Sequence, residues 1–130
     1  MPDLSEEQAR AVADEFLAAS EAVSDFRFRE HANLSGNEVL ALKSLEQKLA
    51  NQSDDLTALA IKVALDDLDQ TVAQIVKPTG DARAAIAKLN EIGKAVSIAS
   101  NLVALGGAIA AGNPEGILTA LQNTKDSLAD

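Results

Sequence analysis

Between Lys94 and Glu115 the chain carries no charged side chain, and residues 95–112 are Ala, Gly, Val, Ile and Leu apart from Ser97, Ser100 and Asn101. A helix that is apolar on nearly every side has two stable environments, the centre of a bundle or a bilayer. Crossing the hydrocarbon takes about 20 residues, so this segment is borderline for a span. Asn101 in mid-segment, the adjacent Gly106 and Gly107, and the lack of Trp and Tyr to anchor its ends count against a permanent transmembrane helix. The favoured expectation is the central helix of a soluble bundle or oligomer, with conditional insertion into lipid as the alternative.

The rest of the chain supports helices. Its 130 residues suit a single domain, 1–130, and the only aromatics are Phe16, Phe26 and Phe28, so the core is Leu, Val, Ile and Ala. Ala and Leu lose little side-chain freedom in a helix, while Gly and Pro fall in few places. A net charge of −9 disfavours nucleic acid, which is bound by cations that displace counterions from phosphates, and it repels anionic lipid headgroups. Absence of cysteine excludes disulfides and thiolate chemistry. The acidic start, Met-Pro-Asp-Leu-Ser-Glu-Glu, has no apolar core of a secretory signal, which makes the cytoplasm the default expectation and signal-less export the alternative.

Local signals place the helices. Ser5 and Gln8 form a capping-box pattern, and Ala9, Val12, Phe16, Ala19, Val23 and Phe26 line one stripe of a helix ending near His31. Ser35 and Glu38 form a second capping box, flanked by Leu34 and Val39 as a hydrophobic staple. Leu42, Leu45, Leu49, Gln52, Leu56, Leu59 and Val63 then keep one phase through Asn51-Gln52-Ser53-Asp54. A second stripe, Ile61, Leu65, Leu68, Val72 and Ile75, predicts a single long helix over 36–76. Lys77-Pro78-Thr79-Gly80 is expected to stop it, with Thr79 or Asp81 capping a third helix that carries Leu89, Ile92, Val96, Ala99, Val103, Gly106 and Ala110 on one seam. Ile98, Leu102, Leu105 and Ile109 form the neighbouring seam. Gly112-Asn113-Pro114 ends that helix and starts a short fourth, which buries Ile117, Leu118, Leu121 and Leu128. The expected fold is all-α: an antiparallel bundle of three long helices plus one short C-terminal helix, in up-down-up topology.

Chemistry-bearing constellations are sparse. His31 is the sole histidine and sits where an imidazolium would complement a helix dipole; it has no Glu-x-x-His or His-His partner for a metal. Asp66, Asp67 and Asp69 cluster without the Gly-turned loop of a calcium site, and read as a solvated helix face. Gly106-Gly107 lies in a helical pattern without the lysine of a phosphate loop. No catalytic residue, cofactor or metal site is therefore expected, and the chain is not expected to be an enzyme.

Interaction remains. The long second helix has two stripes and the third helix is apolar on most sides, more apolar surface than a small monomer covers, which points to a homo-oligomer or a protein partner. Gly106 and Ala110 make a small-x-x-x-small pair that lets backbones approach closely. Phe28 falls outside the first stripe beside Arg27 and Arg29, and is expected to pack over the following turn unless it serves as an exposed anchor. The candidate interface is thus Phe28, Ala99, Val103, Gly106, Gly107 and Ala110, and substituting Gly106 with Leu is expected to loosen the assembly. The lipid alternative resembles helical pore-forming proteins in general character only, as an uncharged Ala/Gly-rich hairpin released from a soluble form; no motif ties the chain to a family.

Overall fold

The computed structural model describes residues 6–57, 61, 72–89 and 91–129. Among them there is no β-strand. The elements are α1 (Glu6–Arg29), a 3-10 turn (His31–Asn33), α2 (Gly36–Asp55), α3 (Val72–Lys88), α4 (Ile92–Ala111) and α5 (Pro114–Ala129).

The first helix follows its stripe: Val12, Phe16, Ala19, Val23 and Phe26 are all buried. The Ser5–Gln8 capping box lies outside the described residues and side chains. At the start of α2, the Ser35 hydroxyl accepts from the Glu38 N–H at 3.2 Å and the Glu38 carboxylate accepts from the Ser35 N–H at 2.8 Å, so both halves of the second capping box form. Leu42, Leu45, Leu49 and Leu56 are buried in the expected phase.

The long helix over 36–76 does not form. The chain stays helical through Asn51-Gln52-Ser53-Asp54, but Leu56 (φ −82°, ψ 76°) leaves the helix and Thr57 follows it. Two polar side chains at this end are used across helices. Gln52 Nε2 donates to the Val103 carbonyl of α4, and Ser53 Oγ to the Ala13 carbonyl of α1, each at 2.8 Å. Leu56 and Ile61 are both buried on either side of the break. Leu59, Val63, Leu65 and Leu68, with Asp66, Asp67 and Asp69, lie outside the described residues.

The stop at Lys77-Pro78-Thr79-Gly80 is likewise corrected, because α3 runs through it with Pro78 inside. Proline in a helix interior costs about 3 kcal/mol, since it lacks an N–H and crowds the preceding turn. Ile75, Thr79, Ala82 and Ile86 keep a four-three-four buried stripe across it. Burying two isoleucines, at about 1.5–3 kcal/mol each, offsets that cost. The Thr79 hydroxyl also donates to the Ile75 carbonyl at 2.8 Å, within the turn that proline disturbs.

The expected third helix is instead two. Leu89 and Glu91 separate α3 from α4, and α4 begins without a side-chain cap. Arg29, at the end of α1, donates to the Ile86 and Leu89 carbonyls at 3.4 and 2.8 Å, adding a donor at the end of α3, where the Ile86 carbonyl also accepts from the Leu89 N–H. The next boundary agrees with expectation. Gly112 adopts a left-handed conformation (φ 64°); its N–H bonds the Ile109 carbonyl at 3.1 Å while the Asn113 N–H bonds that of Ala108 at 3.0 Å. This is the paired closure of a Schellman motif, which glycine adopts without a Cβ penalty. Asn113 Oδ1 then caps α5 by accepting from the Gly116 N–H at 3.1 Å, with Pro114 in the first helical position.

The bundle therefore has five helices among the described residues, not three long and one short. Helix α1 packs on α2 and α3, and α4 packs on α5 and α2, closing one core. Ser20 bonds the Glu46 carbonyl while Ser53 bonds that of Ala13, so α1 and α2 run antiparallel. Asn101 bonds the Asn123 carbonyl and the Ser127 hydroxyl, both at 3.3 Å, and Gly116 sits against Ala108; α4 and α5 are also antiparallel.

Candidate interaction surface

Helix α4 has two unlike faces. Its inner face buries Ala95, Ile98, Ala99, Leu102, Leu105, Gly106 and Ile109. Its outer face exposes Gly93, Ser97, Ser100, Ala104, Gly107 and Ala111, at alternating spacings of four and three that keep them on one line of the helix. Ile98, Leu102, Leu105 and Ile109 turn inward together with three small residues, and the outward line holds only Gly, Ser and Ala.

This division splits the candidate interface. Ala99 and Gly106 belong to the chain's own core, and Val103 is half-buried against it. A Cβ at Gly106 would meet Gln52 Oε1 at 2.5 Å and Phe16 Cε1 at 2.9 Å, so glycine is required there by a close approach of α1 and α2. Gly106→Leu consequently acts first on the folded chain. Gly107 and Ala110 are exposed, so the small-x-x-x-small pair of Gly106 and Ala110 does not face one neighbour. A shallow groove of about 550 Å³ between α4 and α5 includes Ala104, Gly107, Ala111, Gly116 and Thr119, extending the line of small residues from α4 onto α5, with Glu115 and Asn123 at its edge.

Gln52 is the residue that sequence reasoning undervalued. Its Nε2 holds Val103, but its buried Oε1 has no hydrogen-bond partner among the described residues. A buried amide oxygen without a donor costs free energy. The tie between α2 and α4 is thus polar and incomplete. Gln52 occupies an apolar position in the α2 phase, which is the one signal that it enters an interface between helices.

The second candidate patch surrounds Phe28, which is 67% exposed and does not pack over the following turn as expected. The Arg27 guanidinium lies over its ring, 4.5 Å from the centroid. Arg27 is itself held by Glu46 through bonds of 2.6 and 3.2 Å, with both side chains largely buried. Those hydrogen bonds raise the Arg27 pKa above its ordinary value, partly opposed by desolvation and aided by the charge of Glu46. Arg29 stacks near Phe26 and caps α3, so neither arginine is a spare cation. His31 is exposed in the 3-10 turn after α1. Leu118, expected to be buried, is 48% exposed, because α5 turns Ile117, Ala120, Leu121 and Thr124 inward instead.

No family model matches the chain, and no curated protein or solved structure is similar to it.

Proposed function

We propose that this is a non-enzymatic interaction protein, an up-and-down helical bundle that self-associates by packing the outer face of α4, with the adjoining edge of α5, against a second copy. The observation that carries this reading is the line of exposed Gly93, Ser97, Ser100, Ala104, Gly107 and Ala111. Small residues at this spacing let two helix backbones approach closely and gain dispersion contacts along their length. Charge supports a second copy as the occupant. Two chains of net charge −9 repel one another, and the stretch between Lys94 and Glu115 itself brings no carboxylate to the contact, leaving Glu115 at the groove's end. A two-fold contact would set the same small residues of both copies against one another.

The mass in solution, followed by sedimentation over a range of concentrations, tests this directly. Self-association through α4 gives a multiple of 13.5 kDa that falls when a charge is placed at Ala104 or Gly107.

A second reading rests on a separate observation. Ile92–Ala111 is long and apolar enough to cross a membrane, and less than half of its most apolar stretch is buried. A membrane-active protein would release this helix with α5 into lipid. Flotation with neutral and anionic liposomes, at neutral and mildly acidic pH, checks it: acid lowers the carboxylate charge and should promote flotation, whereas protein that stays at the bottom throughout removes this reading.

A further inference from the structure

A groove of about 420 Å³ between α3 and α5 lies within the roughly 300–1,000 Å³ range of small-ligand pockets. Pro78, Leu121 and Leu128 supply its apolar lining. Lys77 stands on the α3 wall and Lys125 on the α5 wall, with Asp81 beside Lys77. Among the described residues, two cations and one anion give this rim a positive balance on a chain whose net charge is −9.

The lysines are available. Lys125 is exposed and forms no ion pair among the described residues. Lys77 meets Asp81 at 3.1 Å, but their side chains are 78% and 54% exposed. An exposed pair of this kind contributes little, so Lys77 exchanges Asp81 for another carboxylate at small cost. An apolar lining with a cation on each wall matches a hydrocarbon chain ending in an anion, since lysine stems cover apolar surface while their ammonium groups reach water.

We infer that this groove binds a monomeric single-chain anionic amphiphile of the fatty-acid class, its head between Lys77 and Lys125 and its hydrocarbon against Pro78, Leu121 and Leu128. The groove shares no residue with the outer face of α4, so ligand binding and self-association stand or fall separately.

The test is titration of the full chain with carboxyl-labelled dodecanoate below its micelle concentration, followed by NMR and calorimetry. Saturable one-to-one binding is expected, weakened about tenfold by Lys125→Glu or Lys77→Glu through loss of a charged hydrogen bond. The control Lys43→Glu, on the exposed side of α2, should bind as the parent does. Dodecyltrimethylammonium, with the same chain and the opposite charge, should not saturate. Absent or non-saturable dodecanoate binding overturns the inference. Equal binding of the cationic amphiphile, or equal weakening by Lys43→Glu, overturns it too.

Discussion

Helices α1 and α4 are similar in length, and each buries one stripe in the same core, yet their outer faces differ in charge. Helix α1 sends Asp14, Glu21 and Asp25 outward with Leu17 among them, and carboxylates on this line repel like-charged copies. Helix α4 sends out glycine, serine and alanine. Phe16 of α1 and Gly106 of α4 meet in the interior, so both helices serve the fold, but only α4 leaves an outer face suited to close helix packing. Burial accounts for the inner half of the uncharged segment, and the proposed second copy accounts for the outer half.

Substitutions in the shared interior should have the largest effects. Phe16→Ala should cost about 4 kcal/mol in urea denaturation, because it removes a fully buried ring from the junction of α1, α2 and α4. Gly106→Leu should cost about 3 kcal/mol by overpacking Gln52 and Phe16, and should show a lowered denaturation midpoint at every protein concentration. A variant that lost only mass, with its stability unchanged, would place Gly106 at an interface between chains and break the division of faces drawn above.

Smaller effects should follow on the polar ties. Glu46→Ala should cost about 2 kcal/mol by leaving the guanidinium of Arg27 without its partner. The raised Arg27 pKa means that this contribution is fully present below the ordinary arginine range and is lost only as pH rises through the still higher folded value. Loss of stability between pH 5 and 9 therefore has to arise from other groups. Gln52→Met should raise stability by about 1 kcal/mol, since it keeps the shape of the side chain and removes the orphaned Oε1. A fall of that size in thermal denaturation would show that the bond from Gln52 to Val103 outweighs the unpaired oxygen.

What could be read in advance depended on how local its cause was. The Ser35–Glu38 capping box and the Gly112-Asn113-Pro114 junction are made by neighbours in sequence, and both form as read. The stripe of α1 was equally legible, because apolar period alone defines it. The boundaries that failed are set at a distance. Pro78 was read as a stop on local grounds, but the buried stripe from Ile75 to Ile86 carries the helix through it. The end of α3 is held by Arg29, sixty residues from Leu89 in sequence, which no local signal reports. The α2 phase did continue to Leu56, yet periodicity cannot report that the backbone leaves the helix at a residue that stays buried.

The candidate surface was legible in composition and illegible in orientation. The uncharged stretch identified α4, but its two seams were both expected to face partners, and only packing shows that Ala99 and Gly106 turn inward while Gly107 and Ala110 turn outward. The small size of Gly106 makes room for Gln52 and Phe16 within the same chain. Phe28 was expected to cover a turn; Arg27, fixed by Glu46, covers one side of its ring instead and leaves the rest in solvent.

The central claim is that the outer face of α4 joins two copies, and one comparison of masses tests it most directly. Ala104→Glu on α4 and Ala11→Glu on α1 add the same charge at exposed alanines, each expected to change stability by less than about 0.5 kcal/mol. Sedimentation equilibrium should then give a multiple of 13.5 kDa for the parent and for Ala11→Glu, and a single-chain mass for Ala104→Glu. A single-chain mass for the parent at every concentration, or a mass that Ala104→Glu leaves unchanged, would contradict the claim.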